Sequence, residues 1–168
     1  DYYFEESDAT KNIRSKYSEH IIKVVRLAGV DEKSAEKAEK AVMKIETRLA
    51  KVARTRVELR NPDANYNKMT VEALKKNYTP FNWDVFFSTV GLNYLHDLDV
   101  GQPDGIKETC KIISTESLED LISYLQWNLI SSASSYLSDD FVKEKFDFHG
   151  KTMSGRQELQ PRWKRAVQ

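Results

Sequence analysis

Three histidines, His20, His96 and His149, are the side chains of this 168-residue chain best suited to metal or proton chemistry, and their spacing gives them no shared task. A hydrolytic zinc helix needs two histidines four residues apart, so that both imidazoles fall on one face, with a glutamate beside the first to act as base. His20 is followed by Ile21 and reaches Val24 at the second ligand position, and His96 has no histidine partner at that spacing. Each isolated histidine is therefore expected in a surface or hydrogen-bonded role. Nucleophile and phosphate chemistry fail in the same way. "STVGL" lacks the strand-to-helix elbow of a hydrolase serine, and no glycine-rich phosphate loop occurs.

Cys110 is the sole cysteine, so an internal disulfide and a thiolate metal cage are both excluded. It lies in a helical pattern with Ile106 and Ile113, where a small packed side chain is expected. The adjacent acids Glu5–Glu6 and Asp139–Asp140 stand at helix starts, where negative charge complements the helix dipole. Two short arginine clusters occur, "ARTRVELRNP" and "QPRWKRAV", and the second places Trp163 between Arg162 and Arg165, an arrangement able to stack on a base. The chain as a whole balances 26 Lys plus Arg against 26 Asp plus Glu, so no long-range field gathers nucleic acid or an anionic membrane. Solvated or interdomain arginines are the expected reading, and neither nucleic acid nor membrane is expected as a partner.

The elements that would position these residues are helical. Ser7 or Asp8 caps a first helix in which Ile13, Tyr17, Ile21 and Val24 recur at steps of three and four until Gly29. Asp31 caps a second, long helix running to Leu59, with Ala35, Ala38, Val42, Ile45, Leu49 and Val52 on one face. A connection of about two residues predicts an antiparallel hairpin. "RNPDANYNKMT" then breaks the pattern with turn formers. Shorter helices follow, capped by Thr70 and by Asn82, and "NYLHDLDVGQP" is the one stretch with strand character. Pro103 opens a helix through Ile113, Ser117 starts another, Ser138 caps a third, and Gly150 with Gly155 brackets a loop before a last helix from Pro161. The sum is an all-α domain of about seven or eight helices that starts with the long hairpin, spanning 1–168 as a single lobe. The apolar stripe begun by Trp163, Ala166 and Val167 stops after about two turns, and the chain has no initiator Met, which points to a piece of a longer protein.

In order along the chain, "DYY", "ETRLA", "RNPDANYNKMTVEAL", "YLQWNLI" and "FDFHGKTMSGRQELQPRWKRAV" resemble the neprilysin-like zinc metallopeptidases, and within them the bacterial endopeptidase PepO branch. The resemblance covers essentially the whole chain. It implies two largely helical lobes around a closed cavity, with zinc, its "HExxH" helix and the substrate groups on a catalytic lobe that this chain does not contain. The chain would be the other, noncatalytic lobe: inactive alone and without a cofactor, it would partner the catalytic lobe and admit only short peptides to the cavity. Near-absence of cysteine favours a bacterial relative without disulfides, and the resemblance implies the cell envelope or secretion in preference to the cytoplasm.

Under that resemblance Arg60, Tyr66, Asn67 and Lys68 are candidates for facing the cavity or the other lobe, because a polar loop between helices suits that task. The competing reading is that Tyr66 and Asn67 simply lock the turn. Arg162, Trp163 and Arg165 are assigned to interlobe contacts. Both chain ends, Asp1 and Gln168, are expected near one another on the face that meets the catalytic lobe. A free-standing helical module that binds a protein partner through an apolar groove is the alternative from a different class.

Overall fold

A computed structural model of the chain describes residues 2–167, so the expected proximity of Asp1 and Gln168 lies outside the described residues. The chain divides into two compact units, one built from 1–44 and 118–168, the other from 45–117.

In the first unit, α1 (Asp8–Leu27) starts where the Ser7 hydroxyl accepts from the Thr10 backbone N–H at 3.3 Å. It ends in two linked turns, Gly29 N–H to Arg26 C=O and Val30 N–H to Val25 C=O. That double closure needs a left-handed residue, and Gly29 supplies it at φ 92°. The turn brings α2 (Glu32–Val52) back so that Ala35, Ala38 and Val42 join Ile21, Val24 and Val25 in one buried cluster. Trp127 of α7 (Leu118–Ala133) and Phe141 of α8 (Asp139–Lys145) complete it. Each fully buried aliphatic side chain contributes roughly 1.5–3 kcal/mol.

The second unit uses shorter pieces. A one-turn α3 (Pro62–Asn65) is followed by β1 (Lys68–Thr70), α4 (Val71–Asn77), α5 (Trp83–Thr89), β2 (Asp97–Asp99) and α6 (Pro103–Thr115). Their core gathers Val71, Leu74, Tyr78, Phe87, Val100 and Cys110. Cys110 is packed as expected, its thiol donating to the Tyr78 carbonyl at 3.4 Å while burial pushes its pKa up.

The fold is all-α as read from the sequence, with nine α-helical elements among the described residues and one two-stranded sheet. Three details differ from expectation. First, α2 stops at Val52 rather than Leu59, because Thr55 and Glu58 form a capping box of their own. The Glu58 carboxylate accepts the Thr55 backbone N–H at 2.7 Å and the Thr55 hydroxyl accepts the Glu58 N–H at 3.3 Å, so a new 3-10 turn (Glu58–Arg60) begins there. Second, the strand expected near Leu98 pairs antiparallel with an unforeseen one, Met69 opposite Leu98. Third, the helix after Ser138 does not yield to a loop at Gly150. It continues as a π-helical turn (Phe146–Thr152), and the chain leaves it at Gly155, φ 64°. Gly150 permits this because a Cβ there would overlap the Phe146 ring.

Candidate functional site

The loop carrying Arg60, Tyr66, Asn67 and Lys68 is built by side chains that take over backbone hydrogen bonding. Asn61 precedes Pro62 and its side-chain Oδ1 caps α3, accepting from the Asp63 and Ala64 N–H groups at 3.0 and 3.2 Å. Arg54 reaches across with one guanidinium nitrogen to the Ala64 carbonyl, the Asn65 side-chain oxygen and the Gly101 carbonyl, at 2.7, 2.8 and 3.2 Å. The Asn65 amide donates to the Leu59 carbonyl at 2.7 Å.

Within this frame the four candidates divide. Asn67 is tied into the turn: its backbone N–H donates to the Asp99 carboxylate at 2.6 Å, its side-chain amide to the Ala64 carbonyl at 3.0 Å, and its carbonyl accepts from Val100. Lys68 pairs across the two strands with Asp97 at 2.7 Å, and that hydrogen-bonded carboxylate raises the lysine pKa. Arg60 is exposed, and Tyr66 is 64% exposed. The turn-locking role therefore belongs to Asn67, while Tyr66 and Arg60 are displayed.

The other three candidates lie in the first unit, on α9 (Arg162–Val167). Pro161 stands one residue before the helix instead of opening it, as its cap, with its carbonyl accepting from the Lys164 and Arg165 N–H groups. Arg165 folds back to donate to the Gln160 carbonyl at 3.0 Å. Trp163 is 67% exposed with the Lys164 ammonium 5.4 Å from its ring centroid, and Arg162 is exposed.

Neither group forms a catalytic arrangement. Among the described residues no three His, Cys, Asp or Glu side chains converge as a metal site. His20 is 2% exposed, its Nδ1 3.1 Å from Glu144, and its ring is stacked 4.9 Å from Phe148 and edge-on to His149. Lys23 approaches the other Glu144 oxygen at 3.7 Å. These histidines thread a polar contact through an apolar core and do not fit a zinc ligand set, which needs convergent lone pairs.

Sequence reasoning passed over one strong charged cluster. Arg48, inside "ETRLA", donates Nε to Glu108 at 2.8 Å and Nη1 to Thr115 at 3.0 Å, and it also pairs with Glu116, whose side chain is 4% exposed. Hydrogen bonding to Glu108 raises the Arg48 pKa against the opposing cost of burial. The available signal was a cation beside the apolar stripe of Ile45 and Leu49, with two acids bracketing a helix end sixty-odd residues away.

The sequence model of peptidase family M13 matches residues 1–168. An endothelin-converting enzyme homolog of Locusta migratoria is 29% identical over 140 residues, 77% of this chain and 19% of that protein. The Mycobacterium tuberculosis zinc metalloprotease ZMP1, solved in complex with an inhibitor, is 28% identical over 99% of this chain, with a TM-score of 0.92. PepO from Lactobacillus rhamnosis shares the fold at 14% identity and a TM-score of 0.77. The chain spans about a fifth of the first of these proteins and 25–26% of the two solved chains.

Proposed function

The chain belongs to peptidase family M13, and from that premise we propose that it is the noncatalytic helical lobe of a zinc metalloendopeptidase, a cap that encloses the active-site cavity and limits substrate size. The observation that carries the reading is the match of nearly the whole chain, in sequence and in fold, to one quarter of a solved zinc metalloprotease. The arrangement of side chains supports the same division of labour, since His20 packs in the core with His149 edge-on against it, while Glu58, Asp99 and Glu116 hold turns and an ion pair.

The contribution to peptide hydrolysis is steric. A rigid helical wall over a cavity admits short flexible chains and excludes folded proteins, and closure removes water that competes for substrate contacts. Zinc would be held by residues of the parent outside this segment and would supply Lewis-acid activation of water. Arg60 and Tyr66 face the cavity or the other lobe in this reading, with Asn67 and Lys68 holding their loop in register. Arg162, Trp163 and Arg165 belong to the contact with the catalytic lobe. In this reading the parent resides in the bacterial cell envelope or is secreted, in preference to the cytoplasm; in the described residues no helix is long and apolar enough to cross a membrane.

The test uses the full parent polypeptide. Trp163→Ala is expected to raise cleavage of larger substrates relative to short peptides severalfold while leaving zinc content unchanged. Zinc loss with unchanged size selection would reject the cap.

A further inference from the structure

Helix α7 is apolar on two faces. Trp127, Tyr124 and Ile130 turn inward to the core of the first unit. On another face Leu118, Ile122, Leu125 and Leu129 stand 74, 45, 67 and 69% exposed. Their spacing of four, three and four residues is one continuous helical ridge, about 17 Å long at 1.5 Å per residue. Exposed Gln126 and Asn128 flank this ridge, so the helix carries two separate apolar faces, and a second apolar face is normally covered like the first.

The chemistry of the ridge restricts what covers it. No charged residue occurs between Asp120 and Asp139. The acids at the start of the helix turn toward α2, Glu119 to Lys37 at 3.9 Å and Asp120 to Lys44 at 3.3 Å. A transient docking surface keeps a polar rim, whereas an uncharged ridge resembles a permanent interface. A membrane surface fits poorly, because helices that lie on bilayers carry basic residues opposite their apolar face, and here that side is occupied by the protein core. What remains is the rest of the polypeptide: the solved relative that shares this fold is about four times as long as the matched segment.

We infer that the Leu118–Leu129 ridge of α7 is a permanent docking surface for an apolar helix of the same polypeptide, lying outside residues 1–168; the inference rests on the proposed role as one part of a larger peptidase. It adds to the arginine and tryptophan contact at α9 a second, wholly apolar one.

Single cysteines placed at Leu125, Leu129 and, as an exposed control on the same helix, Glu119 test it by maleimide labelling of the full-length parent, read by peptide mass spectrometry. Buried Cys110 reports in every sample that the fold is intact. Leu125→Cys and Leu129→Cys are expected to label more than tenfold more slowly than Glu119→Cys, independently of protein concentration and of added vesicles of neutral or anionic lipid. Labelling at the control rate overturns the inference. Protection that disappears on dilution assigns the ridge to a second copy, and protection that appears only with vesicles assigns it to a membrane; either result overturns it as well. Cleavage of a short peptide is measured on the same samples. Cleavage with free labelling removes the docking surface alone, whereas protection without cleavage leaves the surface standing and removes the peptidase reading.

Discussion

The core under α1 and the loop after α2 are stabilised by different physics. In the first unit Ile21, Val24, Val42 and Trp127 lie within one apolar cluster, and helical periodicity alone puts them there. In the second, residues 53–67 contain few buried side chains, and their shape comes from Arg54, Asn61, Asn65 and Asn67 bonding to backbone groups that would otherwise be unpaired. The first kind of order is insensitive to which apolar residue fills a site of given volume. The second depends on individual atoms, so it can present a polar surface in one fixed conformation, which is what a cavity wall or a lobe contact requires.

The sharpest way to break this contrast is to empty the first core. Trp127 is 3% exposed, with its ring edge-on to Tyr17 and His20. Trp127→Ala is expected to cost about 3–5 kcal/mol in urea unfolding of the chain, because the transfer energy is lost and a cavity remains. A loss below about 1 kcal/mol would mean that packing around Trp127 does not hold this unit together.

A somewhat smaller effect is expected where the second unit turns from apolar packing to charge. Arg48→Ala leaves the Glu116 carboxylate, 4% exposed, and Glu108, 15% exposed, without their shared cation. Removing one partner of a buried pair costs about 3–5 kcal/mol, and the 28% exposure of the arginine reduces that to about 2–3 kcal/mol. Adding Glu116→Gln to Arg48→Ala should recover part of the loss, since a carboxylate only 4% exposed then carries no charge. If the double variant is no more stable than the single, the arginine acts through packing of its stem instead.

How far each region could be read from sequence follows the same division. The caps at Ser7, Thr70 and Asn82 and the stop at Gly29 were legible because each is a local rule about one residue and its next three neighbours. The end of α2 was not, because Thr55 and Glu58 are also acceptable helix formers and only their reciprocal hydrogen bonds decide for a new turn. Strand β1 was hidden by its length, since three residues carry no period, and its partner lies 29 residues along from Met69 at Leu98. In the candidate loop the polar character was legible, but the split between Asn67, which braces the turn, and Tyr66, which is displayed, depends on Asp99 arriving from another segment. The continuation of α8 through Gly150 was missed because glycine usually ends a helix, whereas here the room it leaves is filled by the Phe146 ring.

The smallest expected effect separates the two regions by acidity. His149 stands edge-on to His20 in the first unit, with its pKa held below the ordinary 6.5 by burial first, then by the nearby His20 and Lys145. The unfolded chain therefore takes up that proton before the folded one does. Its contribution is intact above pH 6.5 and is lost as the pH falls from there toward the depressed folded value. In the second unit the lowered group is Glu58, held down chiefly by the Thr55 backbone N–H, so its contribution is lost only below its ordinary value of 4.5. Hydrogen exchange followed by peptide mass spectrometry should show protection of 139–152 declining between pH 6.5 and 5 after correction for intrinsic exchange rates, while 54–67 stays level until the pH falls below 4.5. His149→Gln should flatten the first decline and leave the second in place. If the decline in 139–152 persists in that variant, the proton goes elsewhere in the core, and the contrast between a titrating core and an acid-resistant loop loses its stated cause.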